Sequence, residues 1–184
     1  MTALVAAAPA IQNIVKLPQP EPLTEFSVFG SYHNATYPTN ITANQNYQLY
    51  FGVNNELGVV AYYQIQVKFR TEKQSAPDSF NHTNSEIPAL GSVSLFAANQ
   101  QTVEVPVDIS FQYNLDPYNT SQMNLQSVTV NGAKLKTNDE VVFFDTARNG
   151  FFGNIFFELW IYNGTSNTFQ YHERYLSLWL QFNP

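Results

Sequence analysis

Three histidines, His33, His82 and His172, and the carboxylates Glu104, Asp108, Glu158 and Glu173 are the residues of this 184-residue chain whose type suits metal binding or acid–base chemistry. None of the histidines stands in a metal-ligand spacing. The triplet His172-Glu173-Arg174 is the nearest thing to a cluster, and a strand would send its neighbours to opposite faces. Glu104 and Asp108 share the outward face of one strand, where a four-residue separation places them about 13 Å apart, too far for paired carboxylate work without a partner strand. No nucleophile elbow, phosphate loop or dinucleotide fingerprint is present, and glycine is too sparse to cradle phosphate. These carboxylates therefore read as solvated surface charge, and the chain as a non-enzyme without a metal or a diffusible cofactor.

The elements that position these residues have period two. The run "YYQIQVKFR" sends Tyr63, Ile65, Val67 and Phe69 to one face and Gln64, Gln66, Lys68 and Arg70 to the other. "TVEVPVDISFQ" repeats the pattern with Val103, Val105, Val107, Ile109 and Phe111 inward. Pro106 lacks an N–H donor, so this strand is expected at an edge or with a bulge. Further strands are expected at 24–30, 47–53, 91–97, 125–130, 140–145, 154–163 and 175–182. Asn-Gly pairs at Asn131-Gly132 and Asn163-Gly164 mark hairpins. The polar segment 71–90 reads as an exposed loop. No stretch carries a helical period. The expected fold is all-β, an antiparallel immunoglobulin-like or pilin-like sandwich over 24–184.

Composition sets the environment. The chain is 44% hydrophobic and 15% aromatic, enough for one well-buried core. Only 12% of residues are charged, while 20 Asn and 14 Gln supply surface polarity. An amide surface keeps its solubility in acid, where an ionic one protonates, and it equally suits a neutral extracellular setting. Eight scattered basic residues and a net charge of −6 argue against nucleic acid. Cysteine is absent, so no disulfide or thiolate metal site forms. Five sequons, at Asn34, Asn40, Asn81, Asn119 and Asn163, point to a glycosylated cell-surface protein bearing covalent N-linked glycans. No run of apolar residues is long enough to span a bilayer as a helix.

The N-terminus is a separate unit. Residues 1–17 form an apolar arm, 18–23 a linker with Pro18, Pro20 and Pro22, and the sandwich follows. Pro9 would break a helix over the arm at about 3 kcal/mol, so extended structure is favoured. Thirteen extended residues span about 43 Å, the height of a sandwich sheet. Ala7 and its alanine neighbours suit a narrow groove, while Leu4, Val5, Ile11, Ile14 and Val15 would fill pockets. Three readings stand side by side: a remnant of a leader or membrane helix, a segment folding back on its own domain, or a strand donated to another molecule. The stiff spacer projects the arm outward and favours the last.

Two resemblances bear on this choice. "TEF", "YPTNIT" and "VNNELG", with the closing "FELWIYN" and "RYLSLWLQF", resemble the extracellular β-domain of an archaeal membrane-anchored family of uncharacterised function, over residues 24–70 and 155–182. That likeness implies a monomeric surface sandwich with no assigned catalytic activity, the ectodomain of a membrane protein used for adhesion or cell-wall association. The order of apolar arm, stiff linker and β-sandwich resembles donor-strand filament subunits, the chaperone–usher pilins and the archaeal threads of acidophiles. This second resemblance implies a homopolymer of identical subunits outside the cell, each arm completing the sheet of the next, used for adhesion to surface glycans or other cells.

Overall fold

The computed structural model describes residues 22–184, apart from the side chains of residues 138 and 139. Ten strands account for the fold: β1 (Leu23–Gly30), β2 (Asn40–Thr42), β3 (Asn46–Glu56), β4 (Ala61–Arg70), β5 (Gly91–Ala97), β6 (Gln101–Leu115), β7 (Gln122–Val130), β8 (Ala133–Asp145), β9 (Gly150–Asn163) and β10 (Thr168–Asn183). One sheet has the order β1-β3-β6-β7-β8 and the other β5-β4-β9-β10-β2. β8 ends in the second sheet, pairing Phe144 and Asp145 with Phe151 and Gly150, so the ladder curls continuously from one sheet into the other. All pairings between these strands are antiparallel except β2 with β10. The fold is an all-β sandwich, as the sequence pattern requires.

The inward residues of the two alternating runs meet in the middle. Tyr63, Ile65, Val67 and Phe69 are buried to 2% exposure or less, and Val107, Ile109 and Phe111 join them from the opposite sheet. Phe51 of β3 and Phe157 of β9 contact across the core at 4.6 Å between ring centroids. Phe182 packs edge-on against Phe111 and Tyr113, at 5.6 and 5.1 Å. Gly153 makes room for this cluster, because a Cβ there would run into the rings of Phe69 and Phe182. Pro106 lies in the half of β6 that has only β3 for a neighbour, since β7 begins pairing at Ile109. The missing donor therefore disrupts no second ladder.

The two Asn-Gly pairs behave differently. Asn131 and Gly132 both take positive φ, 48° and 80°, and form the two-residue β7–β8 hairpin. Asn163 instead ends β9, and a four-residue loop 164–167 closes with Asn167 at φ 54°. Asn163 Oδ1 accepts from the Thr165 and Ser166 N–H groups. The loop between β8 and β9 uses the same device, with Asp145 Oδ1 accepting from Ala147 and Arg148 and Asn149 at φ 54°. The short β2 had no signature in the alternation; three residues are too few to show a period.

Candidate assembly seam

β1 and β10 frame one side of the sandwich. β1 is the outer strand of its sheet, and β10 carries β2 only over Gln181–Asn183. From Thr168 to Leu180, the outer edge of β10 has no strand partner among the described residues. Such an edge presents backbone groups ready to receive another strand. Phe26 of β1, with Leu176 and Leu178 of β10, face inward by parity with buried Val28 and Leu180. All three pack on the core yet remain only partly buried. A small void lined by Ile41, Tyr47, Leu49, Ile155, Leu178 and Leu180 lies behind them. Among the described residues, the seam is thus an apolar slot beside an unpaired edge.

Polar latches close both ends of the slot. At one end, the register of β10 against β9 shifts between Tyr171 and Arg174, and Glu173 takes φ 56°. His172 and Arg174 share one side of the strand, as alternation requires, and both reach Thr24, while Glu173 between them meets His82 instead. His172 Nε2 lies 2.8 Å from Thr24 Oγ1, and Arg174 Nε donates to the Thr24 carbonyl at 3.2 Å. Tyr63 donates to Asn55 Oδ1 at 3.2 Å, so the Thr24 hydroxyl, 3.0 Å from Tyr63, gives its proton to the Tyr63 oxygen. His172 Nε2 must then carry a proton and donate to Thr24. Burial, reinforced by Arg174, pushes the His172 pKa below its ordinary value. Burial raises the Tyr63 pKa, against the hydrogen bond from Thr24. At the other end, Tyr113 OH reaches the carbonyls of Ile41 and Asn183 at 2.7 and 2.8 Å, tying β2 and β10 to β6.

The outer face of the second sheet corrects another expectation. Glu158 is not solvated. Its side chain is fully buried and its Oε2 lies 2.8 Å from Nζ of Lys68, itself 3% exposed. Segment 71–90 lies across them: Ser85 N–H donates to Glu158 Oε1 at 2.7 Å, and Lys68 donates to the Ser85 carbonyl at 2.9 Å. Trp160 Nε1 adds a bond to Oε2 at 3.2 Å. Phe156 beneath the segment is fully buried on this same outward-facing register. The segment is thus part of the fold, and it encloses an open polar cleft of about 490 Å³ between Gln74 and Ile87. The clue in the sequence was β9 itself, "NIFFELWIYN", which is apolar on both faces.

The remaining charged candidates stay apart. His33 stacks on Tyr50 at 3.9 Å and lies 2.9 Å from Glu104 on the outside of the first sheet. His82 reaches Glu173 at 3.1 Å. Asp108 sits in β6 opposite Gln48, where Asn131 caps its backbone. No group of three His, Asp or Glu among the described residues is arranged to hold a metal ion. No helix among them is long and apolar enough to cross a membrane. Leu4, Val5, Ala7, Pro9, Ile11, Ile14, Val15, Pro18 and Pro20 lie outside the described residues; Pro22 is exposed just before β1. Asn34, Asn40, Asn81 and Asn119 are exposed, while Asn163 is half-buried and donates to Gln170. Asn34 and Asn40 precede or open β2, and Asn119 lies in the β6–β7 turn, all at the Tyr113 end of the seam.

No family model matches this chain, and no curated protein matches it in sequence. Solved structures align with it distantly. A β-glucosidase from Listeria innocua in complex with glucose aligns over 88% of this chain at 9% identity and a TM-score of 0.40. The chain spans 16% of that enzyme's length. The CARDB domain of a Pyrococcus furiosus protein, in complex with di-metal ions, aligns over 92% of this chain and 96% of its own, at 8% identity and a TM-score of 0.37.

Proposed function

We propose that this chain is a structural subunit of an extracellular, N-glycosylated filament, joined head to tail by insertion of residues 3–17 of one copy into the β1/β10 seam of the next. The observation that carries the reading is the open β10 edge beside partly buried, inward-facing Phe26, Leu176 and Leu178. An added strand would satisfy the edge and cover all three. The arm has matching chemistry: in extended form Val5, Ala7, Pro9, Ile11 and Val15 share one face. β1 begins at Leu23, beside His172 and Arg174, and the linker has prolines at 18, 20 and 22. A tight reversal back into the molecule's own slot is disfavoured there, and a neighbour's slot is preferred. A joint between different surfaces on identical subunits does not close on itself and so propagates. On this reading the chain performs no catalysis and needs no cofactor other than its glycans; its role is adhesion or cell contact.

Deletion of residues 1–17 tests the reading by electron microscopy, size exclusion and thermal melting. The expected result is filaments from the full chain, monomers of lowered stability from the deletion, and restored stability on adding a peptide of residues 3–17. A full chain that stays monomeric while the deletion is destabilised would mean that the arm fills its own slot, and would overturn the polymer. A deletion variant as stable as the full chain would overturn both.

A further inference from the structure

We infer that the outer face of the second sheet carries a docking row for a neutral saccharide, occupied by the N-linked glycan of Asn81. Four aromatic side chains, one from each adjacent strand, form the row: Phe96 of β5, Tyr62 of β4, Tyr162 of β9 and Phe169 of β10. Phe96 pairs in register with Tyr62, and Tyr162 with Phe169. Phe96 and Tyr62 stack nearly parallel at 4.2 Å. Tyr62 meets Phe169 at 5.1 Å, and Tyr162 meets Phe169 at 5.4 Å. Mutual packing accounts for their contact with one another and leaves their outer surfaces uncovered: Phe96 is 66% exposed and Tyr162 40%. A contiguous strip of uncovered aromatic faces marks a ligand surface.

The chemistry around the strip selects a sugar. The adjoining rung, Ser94, Gln64, Trp160 and Tyr171, is uncharged, as is the row itself. Aromatic faces accept the C–H face of a pyranose, and flanking amides and hydroxyls exchange hydrogen bonds with its hydroxyl groups. An anionic or cationic ligand would find no counter-charge in either rung.

The position of Asn81 supplies the occupant. Segment 71–90 is pinned to this same face by Ser85 on Glu158, by Ser79 Oγ near Tyr175 OH at 3.5 Å and by His82 on Glu173. Asn81 lies exposed between those last two anchors, and its backbone is fixed by Asp78, whose Oδ1 accepts from the Phe80 and Asn81 N–H groups. Phe169 and Arg174 pair with Tyr162 and Leu159, three rungs apart on β9, so Glu173 in the intervening bulge lies within about 10 Å of Phe169 along the sheet. The first few sugars of an N-linked glycan cover that distance. Docked there, the glycan shields the row and fastens the tip of the segment to the sheet.

This inference rests on the N-glycosylation part of the proposed function and not on polymerisation. The test uses the full chain produced in an N-glycosylating host, with glycopeptide mass mapping of Asn81 followed by NMR of the attached sugars. Thr83→Ala, which removes the acceptor sequence, identifies the Asn81 sugar signals by their loss. In the native chain those signals are expected to be displaced upfield by ring currents, and to return to free-glycan positions in Phe96→Ser and in the Phe96→Ser, Phe169→Ser double variant. Phe96 is exposed enough that its variant keeps the fold, which thermal melting checks. Undisplaced sugar signals, displacement that persists in both variants, or an unmodified Asn81 would each overturn the inference while leaving the filament reading to its own deletion test.

Discussion

Lys68→Met should be among the most damaging single substitutions outside the central core. It leaves the Glu158 carboxylate buried, with its cation gone and only the Ser85 and Trp160 N–H groups as donors. Breaking a buried pair from one side costs about 3–5 kcal/mol, because the surviving charge stays desolvated. For a domain of this size that corresponds to a fall in Tm of roughly 6–20 °C. Replacing both partners, Lys68→Met with Glu158→Leu, removes the orphan charge, so most of the loss should return. What remains is about 1–3 kcal/mol for the Ser85 N–H and carbonyl that lose their partners. Urea unfolding of the two single variants and the double variant measures the coupling, and limited proteolysis within 71–90 reports whether the segment has lifted. A Lys68→Met loss below about 1 kcal/mol, the range of solvated surface pairs, would refute the reasoning. It would mean that water reaches the pair and that the segment does not seal it.

Two further outcomes follow from the latches at the seam. Because the folded His172 pKa lies below the unfolded value of about 6.5, the unfolded chain binds more protons in the interval between them. Stability should therefore be fully present above pH 6.5 and decline as pH falls through the folded pKa; His172→Gln should lose that part of the pH dependence in urea midpoints. An NMR titration of His172 with an unshifted midpoint would count against it. Tyr113→Phe leaves the buried Ile41 carbonyl and the Asn183 carbonyl without their shared donor, at a cost of about 1–3 kcal/mol. Faster hydrogen exchange at the β2–β10 pairing should accompany it, and unchanged exchange and Tm would show that the hydroxyl ties nothing together.

The linear pattern was enough for nearly every strand. Alternation in "YYQIQVKFR" and "TVEVPVDISFQ" fixed which side chains enter the core, since a pleated strand allows only two faces and water selects between them. Asn131-Gly132 disclosed its hairpin because two consecutive positive-φ residues admit little else. Asn163-Gly164 carried the same letters, yet the chain bent one step later, because the register of β9 against β10 placed Asn163 inside the ladder.

The seam and the covered ion pair were not legible in the same way. Lys68 and Glu158 each stand outward by alternation, and outward ordinarily means solvent; only the path of segment 71–90 over the sheet makes that side an interior. His172 and Arg174 share a face by simple alternation, but that this face meets Thr24 of β1, 148 and 150 positions away, is decided only by how the two sheets pack. The row Phe96, Tyr62, Tyr162 and Phe169 is scattered over 108 positions, from Tyr62 to Phe169, and exists only through the registers that align four strands. The sequence by itself determined the class of fold, the inward faces and the apolar arm, because these depend on local period and composition. Which edge no described strand pairs, which charge is buried and which aromatics meet were decided by tertiary pairing, where residues far apart in the chain become neighbours.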